Sequence, residues 1–306
     1  MHYTLHQLQI FLKVVERQSI TKAAEDLHLT QPAVSIQLKK LQGQIDIPLI
    51  EVIGRQVFIT DFGKEMAKAS RRIMQEVENI SHQTLAYKGY LAGGLSISIV
   101  STAKYVMPFF LTEFVKKHPG VDLTMDVTNK GKVLESLEKN EVDFSLVSVL
   151  PEHIQVNRVE LMQNKLYLTR KYSEEKQSSM QVRSLEKVPL IYREKGSATR
   201  QAMERYIRSH QLPVKKSIAL TSNEAVKQAV IAGLGYSVMP LIGIKTELSS
   251  KDIEIVKIKG LPITTHWNLI WLKDKKLSPI ASAYLDFIKE RKDAIIKEHF
   301  SWYEKY

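Results

Sequence analysis

The run Thr30-Gln31-Pro32-Ala33-Val34-Ser35-Ile36-Gln37-Leu38-Lys39-Lys40-Leu41 carries side chains able to read base-pair edges. Gln can pair with adenine, Ser can donate or accept, Ile can meet a thymine methyl, and Lys can neutralise phosphate. The spacing predicts a helix. Thr30 suits an N-cap, and Pro32 fits the first turn, where its missing N–H loses no hydrogen bond. Val34, Leu38 and Leu41, at i, i+4 and i+7, form one apolar seam for burial. That leaves Thr30, Gln31, Pro32, Ser35, Ile36, Gln37 and Lys39 as candidate DNA contacts. A merely solvated helix would carry a fuller load of Glu and Lys pairs.

A second set of polar groups stands where apolar runs hand over to helical ones: Ser101 and Thr102, Asn129, Ser148, then Ser197, Thr199, Arg200 and Ser222. Hydroxyls, amides and helix N-termini at the carboxyl ends of several strands could hold a small anion. Each of these residues alone is equally explained as a helix cap; their recurrence at corresponding strand ends favours a ligand cleft. A basic surplus lies between Arg170 and Lys216, with Arg193, Lys195 and Arg200 near the proposed cleft, and it suits a phosphorylated ligand. Arg205 and Arg208 read as solvated helix charges. Nothing points to catalysis. The nine histidines show no metal-ligand spacing, cysteine is absent, and neither a G-x-S-x-G elbow nor a phosphate-cradling glycine loop occurs. No metal or cofactor is expected, and the protein is read as a non-enzyme.

The elements around the first set complete a helix-turn-helix. Thr4 can cap a helix whose Leu5, Leu8, Phe11, Leu12 and Val15 share a face, with Gln7 as capping-box partner. Ser19 opens a short helix from Lys22 to Leu27, in which Ala23 and Ala24 permit a close crossing. His28-Leu29 then turns into the reading helix. Leu49 to Thr60 reads as a β-hairpin around Gly54-Arg55, a wing whose Arg55 could reach phosphate or minor groove. Lys64 to Tyr87 lacks Pro and Gly. Its thin seam of Met66, Ile73, Val77, Ile80 and Thr84 suits pairing with a second copy better than docking on its own domain. Gly89 and Gly93-Gly94 follow in the manner of a linker.

Strands then alternate with helices: Leu95–Val100, Val121–Val127 and Phe144–Val149 as strands, with helices at Val106–Lys117 and Lys132–Asn140 between them. The order continues with a strand at Leu190–Tyr192, a helix at Ala198–Ser209, a strand at Ile218–Leu220, a helix at Asn223–Ala232 and a strand at Tyr236–Met239. Late strands at Ile253–Ile258 and Trp267–Trp271 precede a final helix from Pro279. This argues for two α/β subdomains built on mainly parallel sheets, the architecture of bilobed solute-binding proteins. The expected domains are a winged helix-turn-helix over 1–60, a dimerisation helix and hinge over 61–92, and a ligand-binding domain over 93–306. Within the last, one lobe takes 93–167 and 266–306, the other 168–265. The tail 292–306, with Phe300, Trp302 and Tyr303, reads as a helical extension packing on the body or on a partner.

Composition narrows the function classes. The chain has 306 residues, is 44% hydrophobic and contains no cysteine, which excludes a disulfide framework and a thiol redox sensor. No stretch approaches membrane-spanning length and no signal peptide opens the chain, so a cytoplasmic protein without membrane contact is expected. The net charge of +11 is not concentrated in the reading domain: residues 1–60 hold six basic and five acidic side chains. Side-chain placement and helix termini must therefore supply much of any DNA contact there.

Residues 4–63 resemble the winged helix-turn-helix of LysR-type transcriptional regulators. The likeness is carried by Gln7-Leu8-Gln9-Ile10-Phe11, Ser19-Ile20-Thr21-Lys22-Ala23-Ala24, Leu29-Thr30-Gln31-Pro32-Ala33-Val34-Ser35 and Thr60-Asp61-Phe62-Gly63. Ser101-Thr102-Ala103-Lys104-Tyr105, Gly196-Ser197-Ala198-Thr199-Arg200, Ser222 to Val230 and Leu277-Ser278-Pro279 look like the RuBisCO-operon regulator branch. Two departures stand out: Leu49-Ile50-Glu51-Val52 where the family often has Leu-Phe-Glu-Arg, and Gln42 where Glu is usual. The resemblance implies a regulator that binds double-stranded promoter DNA, forms homodimers through the connecting helix and assembles further as tetramers. It also implies a small-molecule effector, a sugar phosphate, related metabolite or nicotinamide nucleotide. A solute-binding protein without DNA function is the alternative for the C-terminal region taken alone.

Overall fold

The computed structural model describes residues 3–54, 56–87, 91–174, 179–213 and 217–306. The chain divides into two units, Met1–Tyr90 and Leu91–Tyr306.

The first unit runs α1 (Leu5–Arg17), α2 (Ile20–Asp26), α3 (Gln31–Gln42), β1 (Ile50–Ile53), β2 (Gln56–Ile59) and α4 (Asp61–Tyr87). Thr4 and Gln7 close a reciprocal capping box on α1, and Ser19 caps α2. The buried face of α1 is Gln7, Leu8, Ile10, Phe11 and Val14. Leu5, expected on that face, is exposed instead; at 3.6 residues per turn it falls on the side of the helix away from Ile10 and Val14. Ala23 and Ala24 are buried against Val34, Leu38 and Leu41 of α3, as their size allows. Strands β1 and β2 pair antiparallel from Ile50↔Ile59 to Ile53↔Gln56. Gly54 takes a positive φ at their turn, the conformation a tight hairpin requires.

Gln42, Thr60 and Gly63 lock the loop between α3 and the wing. Gln42 donates to the carbonyls of Ile45 and Ile47 (3.0 and 3.1 Å) and accepts from the Leu49 N–H at 2.7 Å. An amide both donates and accepts, which a carboxylate at this position could not do. Gly63 sits so close to this loop that a Cβ would lie 2.0 Å from the Leu49 carbonyl oxygen. The Thr60 hydroxyl donates to the Pro48 carbonyl at 2.6 Å and accepts from the Gly63 N–H at 2.9 Å. Gly63→Ala should force the backbone apart and destabilise the first unit by roughly 2–3 kcal/mol, the upper part of the overpacking range. Scanning calorimetry of the full chain would show the first unit's transition falling while the second holds.

Ala67 and Ser70 of α4 are buried, whereas Ile73 and Ile80 stand 44% and 63% exposed. The helix thus packs the beginning of its apolar seam, at Met66 and Ala67, within its own unit and leaves the continuation at Ile73 and Ile80 exposed. Thr84 lies outside the described side chains.

The second unit runs β3 (Ala92–Val100), α5 (Met107–Lys117), β4 (Gly120–Thr128), α6 (Lys130–Glu138), β5 (Phe144–Val147) and β6 (Val156–Lys171). It continues with β7 (Leu190–Arg193), α7 (Ala198–Ser209), β8 (Ser217–Leu220), α8 (Asn223–Ile231), β9 (Ser237–Pro240), α9 (Lys245–Ser250), β10 (Ile253–Ile255), β11 (Ile263–Leu272) and α10 (Pro279–Phe300). Gly93 and Gly94 belong to β3 rather than to a linker, since β3 pairs in parallel with β4 from its first residue; Gly89 lies outside the described residues.

One sheet carries the order β10-β6-β11-β5-β3-β4, with β9 also on β6, and β7-β8 form a separate parallel pair. The sheet is mixed rather than mainly parallel. β3 pairs in parallel with β4 and β5, while β11 runs antiparallel to β5 and β6. The reason is β6, a sixteen-residue strand missed in the sequence, which pairs with β11 along Val156–Leu166 and with β9 and β10 along Leu166–Lys171. Strands β6 and β11 thereby connect two α/β lobes, with a bulge between Trp267 and Asn268. The first lobe packs Leu95, Ile97, Phe110, Phe114, Phe144, Trp267 and Tyr284. The second packs Leu168, Tyr192, Met203, Tyr206, Val238 and Val256. The tail docks on its own unit: Phe300 and Tyr303 are buried, and the Tyr303 hydroxyl accepts the Lys165 N–H of β6 at 2.9 Å. Among the described residues no helix is long and apolar enough to cross a membrane.

Candidate DNA-reading and ligand-binding surfaces

Helix α3 begins with Thr30 as N-cap, its hydroxyl accepting the Ala33 N–H at 3.4 Å. Val34, Leu38 and Leu41 are buried and fix the helix's rotation. Thr30, Gln31, Pro32, Ile36, Lys39 and Lys40 are exposed, and Ser35 and Gln37 are partly so. Ile36, at 52% exposure, is a large apolar group presented to water beside polar neighbours. The Gln31 amide donates to the Ser35 hydroxyl at 3.1 Å, one turn away. These two side chains therefore form a preorganised polar pair in the middle of the exposed face.

Charge on this face is free to act outward. Arg17 pairs with Asp26 at 2.6 Å and Lys13 with Glu16 at 2.7 Å. Lys22, Lys39 and Lys40 make no ion pair among the described residues. Arg55, the wing-tip candidate, lies outside the described residues.

In the second unit, register brings three strand ends together. Val100 is level with Thr128, and Ile99 with Leu146, so Ser101, Asn129 and Ser148 emerge at one end of the sheet. Thr102 and Ser148 are buried, and Ser101 is half-buried. Asn129 is exposed and caps α6 through the Lys132 N–H at 3.0 Å. Strands β7 and β8 likewise end together, Arg193 level with Leu220. Just beyond them Ser197 caps α7, with Thr199 buried in its first turn. Exposed Ser222 caps α8.

The contact that joins these two groups of strand ends is made by Arg193, which the sequence pattern places near the cleft but not in its lining. Its Nη2 donates to the Ser101 hydroxyl at 3.0 Å, across from β7 to the end of β3. Nε and Nη2 also hold the Glu194 carboxylate at 2.8 and 2.9 Å. Arg193 is only 3% exposed, yet its Nη1 is buried with no hydrogen-bond partner among the described residues. Buried guanidinium N–H groups normally find acceptors, so this nitrogen stands out as an unused donor. Arg200 is differently placed. It donates to Glu204 at 2.7 Å and to the Arg193 carbonyl at 2.9 Å, and lies over the Tyr192 ring. It braces Arg193 rather than reaching past it.

A second contact between the strand-end groups was not foreseen. Lys104 and Tyr105, in the 3-10 turn Ser101–Tyr105 after β3, meet Glu224 in the first turn of α8. The Tyr105 hydroxyl donates to the Glu224 carboxylate, and Lys104 Nζ stands 3.4 Å from it. Lys227 lies 2.8 Å from both Glu224 and Glu247. Burial disfavours the Glu224 charge, but the hydrogen bonds from Lys227 and Tyr105 and the neighbouring ammonium charges outweigh it, holding its pKa down at about 2. Burial first, and the Glu224 carboxylate next, push the Tyr105 phenol up to about 12. Gly243 lets this cluster close, because a Cβ there would come within 3.0 Å of the Asn223 amide and the Tyr105 ring. The sequence signal lay in the runs Ser101 to Tyr105 and Ser222 to Val230, but their partnership spans 119 residues. No cluster of His, Asp or Glu suited to a metal ion occurs among the described residues.

Residues 5–64 match the family model of the bacterial regulatory helix-turn-helix protein, lysR family. Residues 88–293 match that of the LysR substrate binding domain. The chain is 36% identical over 290 residues to a RuBisCO operon transcriptional regulator of Allochromatium vinosum, covering 94% of this chain and 96% of that one. Among solved structures, the CcmR regulatory domain of Synechocystis PCC6803, in complex with 2-PG, is 32% identical with a TM-score of 0.60 over 64% of this chain and 95% of that one. Full-length CbnR complexed with its target DNA shares the fold at 21% identity, with a TM-score of 0.69, 95% of this chain and 100% of that one being covered.

Proposed function

The chain belongs to the LysR family of transcriptional regulators, most like its RuBisCO-operon branch, and from that premise we propose how it reads DNA and what it senses. Two copies, paired through the exposed continuation of the α4 seam at Ile73 and Ile80, present two α3 helices to successive major grooves of a promoter. Gln31, Ser35, Ile36 and Gln37 read base edges. Thr30, Lys39, Lys40 and the wing's Arg55 hold phosphates. The observation that carries this reading is the exposed face of α3, where an apolar side chain and a preorganised Gln–Ser pair face solvent while the helix's own seam is buried. The effector is a small anion held between the lobes by Ser101, Thr102, Ser148 and the unmatched Nη1 of Arg193, near the α7 and α8 N-termini. The 2-PG complex of the CcmR domain supports an anionic metabolite of this kind. A regulator of this sort performs no chemistry on its ligand; the ligand acts by favouring one arrangement of the lobes over another. Dimers joining as tetramers would place further contacts along the promoter.

A gel-shift titration on the DNA upstream of the chain's own gene, with and without 2-PG, sugar phosphates and NADPH, tests the proposal. Gln31→Ala and Ser35→Ala should each weaken operator binding by about 1–3 kcal/mol and leave random-sequence affinity nearly unchanged. Equal losses on operator and random DNA would reassign both residues to the phosphate backbone.

A further inference from the structure

Arg193, Lys104 and Lys227, three cations of the ligand cleft, are already matched by carboxylates of the chain itself. Arg193 holds Glu194 in two hydrogen bonds. Lys104 and Lys227 face Glu224, and Lys227 also faces Glu247. Two ammonium groups and two carboxylates thus balance at the mouth of α8. Glu224 stands second in that helix, where the free N–H groups and the dipole favour negative charge. This is the position a ligand anion would also seek. Glu224 further reaches the other lobe, because Tyr105 and Lys104 belong to the turn after β3. The Asn223 amide adds a contact of 3.4 Å to the Tyr105 hydroxyl.

We propose that Glu224 is a built-in stand-in for the effector: it latches the two lobes through Tyr105 and Lys104, and an incoming anion must displace it. The inference rests on the anion-binding cleft proposed above and adds its regulation. An added anion beside Lys104 and the α8 N-terminus would leave the cluster with excess negative charge unless the Glu224 carboxylate swung out. Its side chain is 45% exposed, so it can swing into water without unfolding the helix. Ligand binding then exchanges an internal ion pair for an external one and frees the turn Ser101–Tyr105 from α8. The effector signal is therefore a release of this contact, not merely a closure around the ligand.

The test uses the full chain in three forms: wild type, Glu224→Gln and Tyr105→Phe. Without ligand, amide hydrogen exchange in segments 101–106 and 222–228 should quicken in both variants, by about tenfold in Glu224→Gln if the latch holds the lobes closed about nine-tenths of the time. Unchanged exchange in both variants overturns the latch. Calorimetric titration with 2-PG and with inorganic phosphate forms the second arm. Glu224→Gln should bind them about five- to tenfold more tightly than wild type, and Tyr105→Phe should gain less because the carboxylate remains. Weaker binding by Glu224→Gln would make Glu224 a ligand contact and overturn the displacement. If no form binds either anion while exchange still quickens, the anionic effector falls and the latch stands on the exchange data.

Discussion

Asp143→Ala should lower the stability of the second unit by about 3–5 kcal/mol, the cost of leaving a buried charge without its partner. Asp143 lies at the head of β5, 7% exposed. Its Oδ2 accepts the Ser96 N–H at 2.9 Å and the Ser96 hydroxyl at 3.1 Å, while its own N–H donates to the Ser96 carbonyl at 2.8 Å. Its Oδ1 faces Lys275 Nζ at 3.5 Å, and that ammonium also donates to the Val142 carbonyl at 2.7 Å. Burial pulls the Lys275 pKa below the ordinary lysine value, and Asp143 only partly offsets it. Removing the carboxylate strands the ammonium and opens the junction of β3 with β5, the junction from which Ser101 and Ser148 emerge. All three tryptophans, Trp267, Trp271 and Trp302, lie in this unit, so tryptophan fluorescence in urea follows its unfolding alone.

The same variant carries a pH signature. A lysine whose pKa is lowered by folding binds fewer protons in the native state, so stability rises with pH between its folded value and the ordinary 10.5. Without Asp143 the folded value falls further and the window widens. The deficit of Asp143→Ala should therefore shrink as the pH is raised toward 10.5. A deficit constant with pH would assign the loss to the Ser96 hydrogen bonds alone.

Arg193→Ala should weaken binding of 2-PG or of inorganic phosphate by about 2–5 kcal/mol, a factor of roughly thirty or more. The guanidinium is buried, charged, locked by Glu194 and Ser101, and retains an unmatched Nη1 with both of its N–H bonds. Such a group provides a full charge and a fixed direction with little further ordering. Arg200→Ala is the informative control. Its side chain is engaged by Glu204 and the Arg193 carbonyl, so its loss should change affinity by only about threefold, through looser support of Arg193. Calorimetric titration of both variants checks the pair. Equal, large losses would place both guanidinium groups on the anion; an unchanged Arg193→Ala would remove the cleft's charge from recognition.

Local spacing revealed the elements that are stabilised locally. Ser197 announces α7 and Thr30 announces α3 because a cap, a first-turn signal and a 3.6-residue seam all lie within twelve residues. The capping box of Thr4 and Gln7 was legible for the same reason, though not the exposure of Leu5, which depends on which arc of α1 the rest of the unit covers. Strand β6 escaped because Asn157, Arg158, Glu160, Asn164 and Lys165 interrupt its apolar pattern. A strand that passes from one lobe to another changes its buried face on the way. The cleft was legible as a set of strand ends, but not as a set of partners. Arg193 and Ser101 are 92 residues apart, and Tyr105 and Glu224 are 119 apart; strand register aligns the ends within each lobe, but only the crossing strands β6 and β11 bring the two sets of ends together. Arg200 drew attention as the more obvious cation, yet an i,i+4 carboxylate at Glu204 was already present to engage it.

The paired strands β6 and β11 also dictate what kind of movement the sensor can make. A continuous antiparallel ribbon resists shear, since sliding would break every cross-strand hydrogen bond, but it yields to torsion. Compliance should concentrate at the irregular step between Trp267 and Asn268, where the ladder slips by one residue. The lobes would then counter-rotate like the ends of a twisted strap, converting a sub-nanometre event in the cleft into an angular change.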